Sequence, residues 1–197
     1  RAFLDLNPDI KVSVKVVNRA TALERLANNT DDLVIMGMVP EGRALSSIPF
    51  LDNELVPVVP ANHPLLTQQV VTPEDFLNSQ LLLREAGSGS RLALEVFCQD
   101  SRLKIPEAME LGSNDSVKHA VMAGLGVAVL PKLGILPELQ LGTLKIPNIK
   151  GFPLRRSWCL VHPFNKHLTP AARAFVDYIQ QNISSVNDYF KRERDFH

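Results

Sequence analysis

The chain has 197 residues, 45% of them hydrophobic, and its 21 Lys+Arg are balanced by 21 Asp+Glu. That length holds one large domain or two small ones with a sizeable core, and zero net charge excludes the strong basic field that accompanies nucleic-acid binding. Two distant cysteines, Cys98 and Cys159, without CxxC or zinc spacing point to free thiols in a reducing cytoplasm, a redox-switch pair being the lesser alternative; no apolar run nears the roughly 20 residues of a membrane span.

In chain order, "RAFLDLNPDIK" lacks the pattern of a signal peptide and reads as a helix end stopped by "NPD". The chain is therefore expected to begin inside a domain, after an upstream strand and most of a helix. Val-rich "IKVSVKVVN" (10–18) predicts a strand. "ATALERLANN" (20–29) predicts a helix with Leu23, Leu26 and Ala27 on one face, and "DDLVIMG" (31–37) a short buried strand. The span suits a parallel β–α–β crossover.

"ELVPVVPANHPL" (54–65) is extended, and Pro57 and Pro60 disfavour a central strand. "TPEDFLN" predicts a short helix with Thr72 as N-cap and Pro73 in its first turn. "LLLREAGSGSRLALEVF" (81–97) predicts a strand to Arg84, a Gly-Ser loop, and a helix to about Gln99. "PEAMELGS" is a strand candidate. A helix over 115–123 follows, with Gly124 or Gly126 at its end and a buried strand over 127–130. "LGTLKIP" and "PLRRSWCLVHP" are further strands. "LTPAARAFVDYIQQNI" predicts an amphipathic helix with Phe175, Val176, Ile179 and Ile183 inward, and a second piece carries Tyr189 and Phe190.

Alternating strands and helices predict an α/β architecture of two subdomains joined by two crossover strands, around 56–60 and 154–162. The expected division is 1–58 plus 164–197 for subdomain I and 59–163 for subdomain II, with a cleft between them.

The Gly-Ser loop suits an anion. Ser88 and Ser90 are candidate caps, the helix start offers amides and a positive dipole, and Arg91 offers a planar fork for a carboxylate or phosphate. The competing reading has Gly87 and Gly89 making a turn and Arg91 pairing with Glu95 at i,i+4. "GSNDSVKHAV" is a second polar helix start, with Ser113 or Asn114 capping and Asp115 complementing the dipole; "VNRATALERL" is a third, with Asn18 and Arg19. Ordinary capping competes at each, but three starts after strands can converge on one crevice.

Enzyme motifs are lacking. Arg91 stands where a G-x-S-x-G elbow needs glycine, and no G-x-G-x-x-G, Walker loop or HExxH occurs. His63 and His162 precede prolines, and His119 reads as a helix-surface residue. No acid/base constellation, metal site or cofactor is predicted.

"REAGSGSRLALEVF", "ELGSNDSVKHAVMAGLGVAVLPK", "NHPL" and "DDLVIMG", in that set, resemble the effector-binding domain of LysR-type transcriptional regulators over nearly the whole chain. "LGSNDSVKHAV" and "VVNRATALERL" are most similar to the subgroup controlling carbon fixation and inorganic-carbon uptake (the CbbR, CmpR and NdhR/CcmR type, the last two cyanobacterial). The resemblance implies two Rossmann-like subdomains in the type II periplasmic-binding-protein arrangement. It also implies a winged helix-turn-helix DNA-binding domain outside this chain, dimers or tetramers formed through effector domains, and a cytoplasmic location.

It implies an effector site in the cleft from Glu85, Ser88, Gly89, Ser90 and Arg91, from Asn114 and Asp115, from Asn18 and Arg19, from Met36 and Gly37 at a strand end, and from His162. Effectors of the subgroup are small anions such as 2-phosphoglycolate, ribulose bisphosphate or 2-oxoglutarate. A transporter solute-binding protein shares the architecture and is the alternative function; the sequence upstream of this chain separates the two. An enzyme on a two-lobed fold is a third reading with no residue constellation behind it.

Overall fold

A computed structural model describes residues 1–42 and 44–195. The chain forms two compact units, one from 1–52 with 157–195, the other from 53–156. Both changeovers fall inside continuous strands, several residues before the expected boundaries at 58/59 and 163/164. The prolines expected to mark the first one lie beyond it, buried within a strand.

In the first unit, helix α1 (Ala2–Leu6) ends at Asn7, whose Nδ2 donates to the Phe3 carbonyl at 2.9 Å. Residues 10–18, expected as a strand, form no helix and join no ladder among the described residues. Val14 and Val16 are 80% and 91% exposed. Alternation alone gives an amphipathic ribbon; a strand also needs a neighbour to take its N–H and C=O groups.

Helix α2 (Arg19–Ala27) buries Ala22, Leu23 and Leu26, while Ala27 is exposed. These pack on Val34 and Met36 of strand β1 (Val34–Met36) and on Val161. Strand β1 pairs antiparallel with β7 (Leu154–Pro163), Val34 facing Val161 and Met36 facing Cys159. The described residues therefore contain no parallel β–α–β unit around α2, contrary to the expected crossover. Helix α7 (Pro170–Gln181), capped by Thr169, buries Val176 and Ile179 and lays Phe175 edge-on to Phe3 at 5.0 Å. Helix α8 (Ile183–Asp195) follows, and its Asn187 Nδ2 donates to the Phe50 carbonyl at 2.7 Å.

Strand β2 (Leu45–Pro60) runs from the first unit into the second. Pro57 and Pro60 lie within it, opposite Val129 and Leu144. The ladders on that side are short, four residues against β5 (Ala128–Pro131) and two against β6 (Leu144–Lys145), so each missing donor removes little. The order β1-β7-β2-β5, with β6 also on β2, completes this sheet.

Helix α3 (Pro73–Leu77) carries a full capping box between Thr72 and Asp75. Strands β3 (Leu82–Arg84) and β4 (Met109–Leu111) are parallel, connected through helix α4 (Gly89–Asp100). Helix α5 (Asn114–Met122) follows β4 and ends before Gly124, whose φ of +76° suits glycine. Helix α6 (Leu136–Gln140) precedes β6. Val58, Leu82, Val117, Val121, Leu130 and Leu144 form the core of this unit.

Candidate functional site

Parallel pairing of β3 and β4 sets the geometry in the second unit. Leu82 faces Met109, and Arg84 faces Leu111, so both strands end at the same edge. Each then feeds a helix, which brings the starts of α4 and α5 together there. This edge is where an open α/β sheet offers its ligand site.

The loop between β3 and α4 is fixed by its backbone. The Glu85 N–H donates to the Leu111 carbonyl at 3.1 Å, and the Glu85 carbonyl accepts from the Ser88 N–H at 3.2 Å. Gly87 takes φ +88°, which only glycine adopts without strain.

Capping differs among the three starts. Asn18 Oδ1 accepts from the Thr21 N–H, and Ser113 Oγ from the Ser116 N–H, both at 3.0 Å. Ser88 occupies the cap position of α4, is only 3% exposed, and makes no side-chain cap bond. The α4 dipole thus meets a buried hydroxyl that does not satisfy it.

Glu85, Ser88, Gly89, Ser90, Asn114 and Asp115 gather at this edge. Asp115 is mostly exposed and pairs with Lys118 at 3.3 Å. Arg91 starts there by its backbone, but its guanidinium leaves. Its Nε donates to Glu95 Oε1 at 2.8 Å, and Nη1 to Glu110 Oε2 at 2.5 Å and to the Arg84 carbonyl at 3.2 Å. Both carboxylates raise its pKa. The i,i+4 pairing with Glu95 that competed with the anchor role is the one the structure forms, because the Leu83–Glu110 register adds a second carboxylate. Arg91 instead borders a cavity of about 280 Å³ with Glu95, Glu110 and Ile105.

The cation at the strand edge is Arg84, which sequence reasoning passed over. Its Nη1 donates to Asn114 Oδ1 at 2.7 Å, tying the end of β3 to the first turn of α5. Its Nε and Nη2 donate to Glu85 Oε2 and Oε1 at 2.7 and 2.9 Å. A basic residue ending a strand just before a Gly-Ser loop was the available signal.

In the first unit, Arg19 Nε donates to the Met38 carbonyl, linking the start of α2 to the turn after β1. Met38 takes φ +53°, a conformation that costs a non-glycine residue about 1 kcal/mol or more. Asn18, Arg19, Met36 and Gly37 therefore share one neighbourhood. His162 does not join it. Val161 faces Val34, so His162 lies at the far end of β1, about 10 Å along the strand from Met36. It is buried, and its Nδ1 donates to the Pro163 carbonyl at 2.9 Å.

Among the described residues, no group of three or more His, Cys, Asp or Glu is placed to hold a metal ion, and no helix is long and apolar enough to cross a membrane.

The LysR substrate binding domain family matches residues 1–184. The chain is 38% identical over 185 residues to the HTH-type transcriptional activator CmpR of Synechocystis, covering 94% of this chain and 61% of that protein. It is 40% identical over 177 residues to the RuBisCO operon transcriptional regulator of Acidithiobacillus ferrooxidans, covering 90% and 57%. The chain thus spans about 60% of the length of these relatives. The Synechocystis CcmR regulatory domain, solved in complex with 2-PG, superposes with TM-score 0.84 at 33% identity, covering 91% of this chain and 86% of that one. The effector binding domain of QuiR, at TM-score 0.83 and 21% identity over 94% and 88%, shares the fold. The architecture is the α/β, type II periplasmic-binding-protein-like fold, and the chain belongs to the LysR substrate-binding domain family.

Proposed function

We propose that this chain is the effector-sensing domain of a transcriptional regulator of carbon fixation or inorganic-carbon uptake genes, and that it binds a small anionic metabolite of the 2-phosphoglycolate, ribulose bisphosphate or 2-oxoglutarate class. The observation that carries the reading is the edge of β3 and β4, where the uncapped start of α4, buried Ser88, Arg84 and Asn114 meet. Amides at a helix start and a guanidinium fork are the groups that bind phosphate and carboxylate. A structural neighbour solved with 2-PG supports the same class of ligand, and the relatives named CmpR and CbbR support the regulatory role. Because those relatives are named as transcriptional regulators, a regulator is favoured over a transporter solute-binding protein or an enzyme.

The effector acts by shifting populations. A ligand with different affinities for two conformations moves the equilibrium by that difference. Paired effector domains then pass the change to a DNA-binding domain outside this chain, in the cytoplasm. Exposed Val12, Val14 and Val16 support pairing with a second copy, since they give residues 10–18 an apolar edge that joins no ladder among the described residues.

Calorimetric titration tests the site. The chain should bind 2-phosphoglycolate, and Arg84→Met should weaken binding about tenfold or more, as loss of a charge-assisted contact does. Unchanged affinity in Arg84→Met would remove this edge as the site. Failure of all three metabolites to bind would remove the ligand class.

A further inference from the structure

We infer that helix α8 is a built-in guard for the open edge of strand β2, and that the partner it keeps out is the same edge of a second copy of this chain.

Strand β2 lies between β7 and β5 in the sheet. The β5 ladder opens only at Leu55, and the β6 pair only at Val59. On the side of β5, residues 45–52 therefore meet no strand among the described residues. A strand edge left in this way is a template for another strand. Leu45, Ile48, Phe50 and Leu51 give it apolar side chains, with Phe50 and Leu51 buried. Two copies of one edge complement each other, because a two-fold axis sets them antiparallel.

Asn187 closes this edge with one side chain. Residues two apart on a strand turn their backbone groups to the same side. The Asp52 N–H donates to Asn187 Oδ1 at 3.0 Å, and Asn187 Nδ2 donates to the Phe50 carbonyl at 2.7 Å. One residue of a parallel neighbour would take the same two groups, so the amide stands in for a stretch of backbone. Nδ2 also donates to the Ile183 carbonyl at 2.9 Å, which fastens the amide to the first turn of its own helix.

The rest of α8 is lightly packed. Ile183, Val186 and Phe190 are only half-buried, and Tyr189 is exposed. The family match ends at residue 184, so Asn187 lies outside the matched segment. With β2 closed, self-pairing is left to residues 10–18. That consequence rests on the pairing proposed above, whereas the guard itself does not.

The test starts from the chain carrying Val14→Lys, which takes pairing through residues 10–18 out of the measurement. It is compared with the same chain also carrying Asn187→Leu. In dilute solution, hydrogen exchange read by nuclear magnetic resonance should show the Asp52 amide exchanging at least about tenfold faster once Asn187 is replaced, while the β7 amides keep their rates. At higher concentration, sedimentation velocity should show the Asn187→Leu chain self-associating at least about tenfold more tightly. Adding Ser47→Lys, a charge at an exposed position of β2, should abolish that gain. Tighter association that survives Ser47→Lys comes from the loosened helix and not from the strand edge, and overturns the inference. Unchanged exchange at Asp52 overturns it too, as does faster exchange without tighter association. If Asn187→Leu also speeds the β7 amides, the fold itself has opened. Asn187→Ser, too short to span both backbone groups, then replaces it and is read by the same outcomes.

Discussion

Gly126 joins the end of α5 to β5, and replacing it with alanine should be among the most damaging small changes in the chain. A Cβ built there lies 2.1 Å from the Gln80 carbonyl oxygen and 3.0 Å from Leu82 Cγ. The first contact is with backbone, so no rotamer relieves it. That carbonyl accepts from the Val127 N–H at 2.8 Å, and the Leu82 N–H donates to the Val127 carbonyl at 2.8 Å. Opening the 2.1 Å contact to the 3.4 Å where ordinary van der Waals distances begin moves one segment by about 1.3 Å, which breaks both bonds at roughly 0.5–1.5 kcal/mol each. Overpacking adds about 1–3 kcal/mol. Gly126→Ala should therefore cost about 3 kcal/mol or more, and lower the melting temperature by roughly 10 °C. Gly112→Ala is the control, since its Cβ meets nothing within 4 Å. Urea denaturation followed by far-ultraviolet circular dichroism measures both. Because Leu82 opens the strand that ends in Arg84, Gly126→Ala should also weaken effector binding in the fraction that folds. A Gly126→Ala chain within about 1 kcal/mol of Gly112→Ala would refute the steric reasoning.

Other outcomes follow from single groups. Arg25 holds the Asp31 carboxyl below its ordinary value of 3.8, chiefly through their hydrogen bonds. A depressed carboxylate stabilises the fold above that value and stops doing so as pH falls through the lower folded one. The melting-temperature gap between wild type and Asp31→Asn should hold steady from pH 5 to 8 and close below about pH 4; a gap that widens in acid contradicts the pairing. Burial pushes the Cys98 thiol up to about 11, whereas Cys159 is half-buried. At pH 8, iodoacetamide should label Cys159 first and Cys98 only on unfolding, with equal rates by mass spectrometry being the adverse result. Val14→Lys should leave stability within about 0.5 kcal/mol and reduce self-association in analytical ultracentrifugation; identical sedimentation of variant and wild type would discard that edge as an interface.

The features legible in the sequence were those whose chemistry closes within a few residues. Thr72 with Asp75, Thr169 with Ala172, and Ser113 with Ser116 are local bonds, and their helices begin where expected. Features decided by distant partners were not legible. Residues 10–18 have a strand's alternation, but only a neighbour makes a ladder. Strand β1 takes its partner from β7, more than 100 residues later. Arg91 shows Glu95 in the sequence, while Glu110 reaches it only through the β3–β4 register. Arg84 was overlooked for the same reason: nothing local says that Asn114, 30 residues on, meets its guanidinium. The Gly-Ser loop points to the edge where α4 and α5 begin, and the register decides which guanidinium lies there, that of Arg84.

The second unit is one uninterrupted stretch, 53–156, set inside the first, whose two parts lie on either side of it in the chain. During synthesis the inserted stretch emerges whole and can collapse while the ribosome is still making the remainder. The outer unit must wait, because Phe3 finds Phe175 and Tyr178 only after the whole insert has been made. A prefolded insert shortens that wait by closing a loop of more than 100 residues in advance, sparing the late step most of its entropic penalty. Premature stops before α7 should therefore yield a structured middle preceded by a protease-sensitive stretch, 1–52.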